Sequence, residues 1–205
     1  MNIKIVLFLL FCYFIGSIPF AYIAGMVLKG IDIREYGSKN TGATNVSRVL
    51  GKIPGIIVFV LDFAKGLAPV LLAGHFFKYQ ENLVIIKILS GLFSVCGHIW
   101  TVFLNFKGGK GVASSFGVMA GITPKSTLIV FLIWAIIVFL FRYISLGSIA
   151  ASLSLPLVVF FVEKEKAAVF IFTLLMSVIV IYKHRENIKR LLAGTENKIG
   201  EKIKI

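Results

Sequence analysis

The sequence predicts an all-α integral membrane protein of about seven transmembrane helices, with its N-terminus outside and its C-terminus cytoplasmic. Three observations carry this. Of 205 residues, 58% are hydrophobic, where a soluble domain has about 45–50%. Mean hydropathy is +0.95, and the excess returns in runs along most of the chain. Basic residues gather in the short segments between those runs. A span needs about 20 apolar residues to cross roughly 30 Å of hydrocarbon. Each must be a helix, because lipid offers backbone N–H and C=O groups no partner. The alternating pattern of a membrane barrel is absent.

Seven candidate spans follow in order: Ile3–Leu28, Ile53–Phe77, Leu83–Leu104, Gly111–Ile122, Thr123–Phe141, Ser148–Val162 and Ala167–Tyr182. The first resembles a signal peptide at its start but runs past Gly16 to Val27, so it is read as an uncleaved helix. The fourth is short and reaches only part of the way across. Pro19 and Pro69 fall inside spans, where kinks are expected. With no linker or repeat, residues 1–205 are read as a single polytopic membrane domain. Its polar loops are 34–52, 105–114 and 142–148, and its tail is 183–205.

Charge sets the orientation. With the N-terminus outside, the inner segments hold Lys29, Arg34, Lys39, Arg48, Lys52, Lys107, Lys110, Arg142 and seven more in the tail, fifteen of 22 Lys and Arg. The outer segments hold Lys4, Lys78, Lys125, Lys164 and Lys166. Cytoplasmic loops carry the excess of Lys and Arg. The net charge of +13 is therefore assigned to the membrane and its anionic headgroups, not to nucleic acid. Cys12 and Cys96 lie in apolar runs and read as small buried hydrophobes.

Three polar segments fall on the inner side. Tyr36-Gly37-Ser38-Lys39-Asn40-Thr41-Gly42-Ala43-Thr44-Asn45-Val46-Ser47-Arg48 packs glycines, hydroxyls, amides and one Arg together. Its amides could form an anion-binding nest, and Arg48 offers a planar fork for phosphate. The alternative is a solvated turn. Phe106-Lys107-Gly108-Gly109-Lys110-Gly111-Val112-Ala113-Ser114-Ser115 sets glycines and two lysines before an apolar helix, a setting that favours phosphate. The alternative is a positive-inside turn. It lacks the GxxxxGK[ST] spacing, so nucleotide hydrolysis is not indicated. In Lys183–Lys198, Asn187, Arg190 and Leu191 lie at helical spacing from His184. A short helix or a lipid-bound basic tail would both fit.

Other residues carry less. Asp62 and Lys65 share a helix face and read as a structural ion pair. His98 reads as a hydrogen-bonded packing residue, His75 as an outer-loop residue, and Arg142–Ser148 as a turn. No cluster has metal-ligand spacing, and no G-x-S-x-G elbow is present. Neither metal nor cofactor is expected. The pattern is that of a helical membrane protein binding phosphorylated substrates at one face, one of them a candidate lipid. A transporter or channel for a small phosphorylated or anionic solute is the competing class, and a non-catalytic lipid-binding scaffold is the third.

Taken together the three segments resemble the bacterial acyl-phosphate:glycerol-3-phosphate acyltransferase family, membrane enzymes of phospholipid synthesis. Gly37–Asn45 with Arg48 resembles its first motif, Lys107–Ala113 its second, and His184, Asn187, Ile188, Arg190, Leu191, Gly194 and Glu196 its third. Arg142–Ser148 also fits a family turn. Lys39 stands where the family usually has Gly, and Lys183 where it has Arg. The resemblance implies transfer of a fatty acyl group from acyl phosphate to glycerol 3-phosphate, giving 1-acylglycerol 3-phosphate (lysophosphatidic acid) and phosphate. It implies a bacterial cell membrane, an active site facing the cytoplasm, and an upstream acyl-phosphate-forming enzyme as a candidate partner.

Roles follow from the same resemblance. Lys107 and the amides of Gly108, Gly109 and Gly111 would hold acyl phosphate, with Ser38, Asn40, Thr41 and Asn45, together with Gly37 and Gly42, completing the cradle. Arg48 would grip the phosphate of glycerol 3-phosphate, with Ser145 and Lys110. His184, Asn187 and Glu196, beside Arg190, would orient the glycerol. The base is either His184 or the substrate's own phosphate. Acyltransferases of the other class use His-x4-Asp, and here the positions five residues after each His are Gln80, Phe103 and Lys189.

Overall fold

A computed structural model describes residues 3–163 and 167–201. Lys164 and Lys166 of the expected outer loop, and residues 202–205 of the tail, lie outside the described residues. Among those described, every regular element is helical. They form two compact units, one extending to Ile122 and the other Thr123–Glu201.

In the first unit, α1 (Ile3–Ser17) and α2 (Phe20–Lys29) make one broken span. Pro19 explains the break: it has no N–H, and it disfavours the helical conformation of Ile18. The break leaves carbonyls without intrahelical donors, and side chains of other spans supply them. Thr101 Oγ1 donates to the Ser17 carbonyl at 2.6 Å, and Lys65 Nζ to the Ile18 carbonyl at 2.7 Å. The short helix α3 (Ala43–Val49) leads into α4 (Lys52–Phe76), which continues through Pro69 without interruption. Then come α5 (Leu83–Ile99), a single 3₁₀ turn Val102–Leu104, and α6 (Val112–Ile122). Close helix crossings need small residues. A Cβ at Gly16 or Gly97 would strike the backbone across the α1–α5 contact, and one at Gly66 or Gly117 would do so across α4–α6.

The second unit is α7 (Pro124–Phe141), α8 (Ile144–Val162), α9 (Ala167–Lys183) and α10 (Arg185–Leu192). The turn expected over Arg142–Ser148 shrinks to Arg142 and Tyr143, and α8 begins four residues earlier than the sequence suggests. Gly147 accounts for this. A Cβ there would meet the Val138 and Trp134 side chains, so its small size lets α8 pack on α7 while still helical.

Of the seven expected spans, five form segments long and apolar enough to cross a membrane. The seventh qualifies only as α9 joined to α10 across a 57° bend. The fourth is α6, with 11 residues, or about 16 Å of helix. Asp62 and Lys65 form the expected ion pair, Nζ to Oδ1 2.7 Å, with side chains 3% and 4% exposed.

Candidate active site

The first motif begins beyond α2, which ends in a left-handed Gly30 whose N–H returns to the Met26 carbonyl at 3.0 Å. Ile33 and Val46, both fully buried, pin the segment onto Ala21 and Val58. Asn45 holds the loop's shape. Its Nδ2 donates to the carbonyls of Ile33 and Tyr36, both at 3.1 Å, and its Oδ1 accepts the Ser38 N–H at 2.9 Å. The Lys39 N–H donates to the Tyr36 carbonyl at 3.0 Å. Gly37 and Lys39 both lie in the left-handed region, at φ 61° and 56°. Ser38 and Lys39 are exposed, Arg48 is half-buried, and Thr41 is buried. The side chain of Asn45 thus frames the loop, while those of Ser38, Lys39 and Arg48 project from it.

The second motif is a knot of backbone hydrogen bonds. The amides of Phe106 and Lys107 donate to the carbonyls of Thr101 and Leu104, and those of Gly108 and Gly109 to Ile99 and His98, at 3.0 and 3.1 Å. This corrects one expectation: the Gly108 and Gly109 amides are engaged by the end of α5, so they do not form a phosphate cradle. Their glycines serve close packing instead. A Cβ at Gly108 would strike the His98 carbonyl, and one at Gly109 would strike the His98 ring and come within 3.1 Å of the Thr41 carbonyl. The first and second motifs therefore meet where Thr41, Gly109 and His98 pack. Gly111, at φ 86°, turns the chain into α6, and Lys107 projects outward, exposed.

The third motif is organised by Glu196. Gly194, left-handed at φ 67°, reverses the chain beyond α10, and the Thr195 N–H donates to the Arg190 carbonyl at 2.8 Å. The reversal brings the Glu196 carboxylate, 3% exposed, back onto the helix. Its Oε1 accepts from Ser145 Oγ at 2.8 Å and Asn187 Nδ2 at 2.7 Å, and its Oε2 accepts from Arg190 Nε at 2.7 Å. Burial pushes this carboxyl up, but the bonds from Asn187, Ser145 and Arg190, with the Arg190 charge, outweigh it and hold the carboxyl below its ordinary value. Ser145 thus joins the third motif, on the first turn of α8. Buried His184 marks the bend, with Nδ1 2.8 Å from the Val180 carbonyl. A carbonyl only accepts, so Nδ1 carries the hydrogen in the neutral ring and Nε2 is the basic nitrogen.

Arg48, Lys107 and Lys110 thus belong to the first unit, and Ser145, His184, Asn187, Arg190 and Glu196 to the second. Sequence reasoning gave His98 no part in the site. Its signal was present in the two intramembrane charges of α4, but which span they face is a tertiary fact.

The chain resembles known proteins over nearly its whole length. The family model "Glycerol-3-phosphate acyltransferase" matches residues 6–194. A glycerol-3-phosphate acyltransferase of Fusobacterium nucleatum is 44% identical over 93% of this chain and 96% of its own. One from Prochlorococcus marinus is 46% identical over 95% and 98%. Among solved structures, PlsY (YgiH), an integral membrane glycerol 3-phosphate acyltransferase, is 42% identical and covers 96% of both chains. Its glycerol 3-phosphate form matches with a TM-score of 0.88 and its lysophosphatidic acid form with 0.85. The chain, an all-helical integral membrane protein, belongs to the glycerol-3-phosphate acyltransferase family.

Proposed function

We propose that this enzyme transfers a fatty acyl group from acyl phosphate to glycerol 3-phosphate, releasing lysophosphatidic acid and inorganic phosphate at the cytoplasmic face of a bacterial cell membrane. The observation that carries it is the relative solved with glycerol 3-phosphate and with lysophosphatidic acid, acceptor and product of this reaction. The transporter alternative finds no support, since the relatives are acyltransferases.

A glycerol hydroxyl attacks the acyl carbonyl carbon, the carbonyl–O(phosphate) bond breaks, and phosphate leaves with the bonding pair. Acyl phosphate is already activated, so the protein's work is positioning and charge stabilisation. With the Gly108 and Gly109 amides engaged, side chains carry the binding: Lys107 and Ser38 toward acyl phosphate, and Arg48 with Lys110 toward the acceptor's phosphate. Glu196 orients Ser145, Asn187 and Arg190 for the glycerol. The hydroxyl proton passes to a phosphoryl oxygen of the substrate. His184 is the weaker candidate base, because the Nδ1 partner described above is a neutral carbonyl, which offsets little of an imidazolium charge.

Seven crossings, with the N-terminus outside, fit the charge pattern. Were α6 not to cross, Arg142 and the basic tail would lie outside, against the positive-inside tendency. The whole chain then acts as one polytopic membrane domain.

Purified protein should make lysophosphatidic acid from palmitoyl phosphate and glycerol 3-phosphate without metal, ATP or coenzyme A. Inorganic phosphate should compete with the donor. Good transfer from palmitoyl-coenzyme A with none from palmitoyl phosphate would overturn the donor assignment.

A further inference from the structure

The glycine loop rests on a buried charged cluster to which the reaction above assigns no role. Asp62 and Lys65 of α4 and His98 of α5 are 2%, 5% and 6% exposed. Asp62 Oδ1 sits between two groups: Lys65 Nζ at 2.7 Å and His98 Nδ1 at 3.6 Å. The second distance is beyond a hydrogen bond, yet in a buried setting it gives the ring a preferred orientation toward the carboxylate. The ring's other nitrogen, Nε2, with the Cε1 between the two, is where a Cβ of Gly109 would land. The Gly109 N–H donates to the carbonyl of the same His98 at 3.1 Å, and Gly108 to Ile99 at 3.0 Å. A small cavity lined by Ser17, Thr41, Asp62, Lys65, His98 and Thr101 adjoins the cluster.

Charges inside a span are costly, and those present face the protein interior or a functional site. Helix adhesion alone does not account for them, since apolar side chains of similar volume usually serve a core as well or better. Lys65 supplies the Ile18 carbonyl at the break after α1, and a directional hold on His98, and through it on the loop, accounts for the position of its carboxylate partner.

We propose that Asp62, with Lys65 as its counter-ion, orients His98 as a positioning residue that fixes the 107–111 loop and so presents Lys107 to acyl phosphate. The proposal rests on the assignment of that loop to the acyl donor.

Asp62→Asn alone would strand the Lys65 ammonium, so the test variant is Asp62→Asn/Lys65→Met, which removes both charges. Two readouts are taken on the purified full chain. Amide hydrogen exchange over residues 105–111 should be about tenfold faster than in the parent, with α4, α5 and α6 as protected as before. The KM for palmitoyl phosphate should rise about tenfold, and by more than that for glycerol 3-phosphate, since small misplacement of a binding group is costly. Unchanged loop exchange overturns the proposal, and so does faster exchange with neither KM moved. A parent protein inactive with palmitoyl phosphate, together with faster loop exchange in the variant, overturns the donor assignment and upholds the positioning role.

A size-swap pair gives an answer even if the neutral double variant does not insert. Gly109→Ala should weaken palmitoyl phosphate use strongly beside the native His98 ring and much less in a His98→Ala background. Strictly additive losses would overturn the contact.

Discussion

Lys39 stands at φ 56°, a conformation that Gly adopts readily and an L side chain resists. The loop therefore holds its shape at a local cost. Lys39→Gly should raise stability by about 0.5–1 kcal/mol, the relieved strain being partly offset by the looser unfolded chain; thermal unfolding in detergent reads it. Asn45 behaves differently. Its amide satisfies three backbone groups, so Asn45→Ala should cost about 2–4 kcal/mol through those lost partners and should loosen the loop before it touches chemistry. Arg48→Ala and Lys107→Ala should each lower kcat/KM by roughly 10²–10³-fold, the scale of a charged contact to a developing charge. The first should act mainly on glycerol 3-phosphate use and the second on acyl phosphate use. Near-normal kinetics in either variant would remove that residue from the site.

The turn beyond α10 owes its shape to a single carboxylate. Glu196 gathers Ser145 from α8, and Asn187 and Arg190 from α10, so one residue after a glycine reversal ties two helices together. Its folded pKa lies below the ordinary value. The sign follows: the ionised form is the one bound in the folded state, so its contribution is fully present above the unfolded pKa. It is lost as pH falls from the ordinary carboxylate range through the depressed folded value. Hydrogen exchange over Arg185–Glu196, corrected for intrinsic rates, should therefore stay slow at neutral pH and quicken only in that acidic window. Glu196→Gln should abolish the transition and leave exchange fast at neutral pH. A parent tail with protection independent of pH would detach Glu196 from this role.

For the whole molecule, the open quantity is the number of crossings. An odd number separates the termini, and α6 decides the parity. In a chain with Cys12 and Cys96 replaced by Ala, Tyr79→Cys should react in intact cells with a thiol reagent that cannot cross membranes. Lys198→Cys should react only after the membrane is opened. Labelling of Lys198→Cys in intact cells would reverse the tail's side and the positive-inside argument with it. The same experiment bears on the proposed reaction, which puts the Glu196 cluster of the tail on the cytoplasmic side.

Class, the order of the apolar segments, the three motifs and the family are legible without coordinates, because each rests on residue type and spacing along the chain. Hydropathy marks helices long enough to cross, and the motif glycines, lysines and amides are adjacent in sequence. Asp62 and Lys65 are legible as a pair too, since three residues on a helix is a local relation. What those residues do to one another follows from how the helices pack. Gly108 and Gly109 look the same in sequence whether their amides await a phosphate or bond to the end of α5. Ser145 lies far from the third motif in the chain, yet it donates to Glu196 across 51 residues. His98 reads as an ordinary packing residue until α4 is laid beside α5 and Asp62 faces its ring. Hydrogen-bond partners and buried contacts between helices depend on crossing geometry, and that is set by small residues such as Gly16, Gly66 and Gly117 meeting a neighbouring backbone.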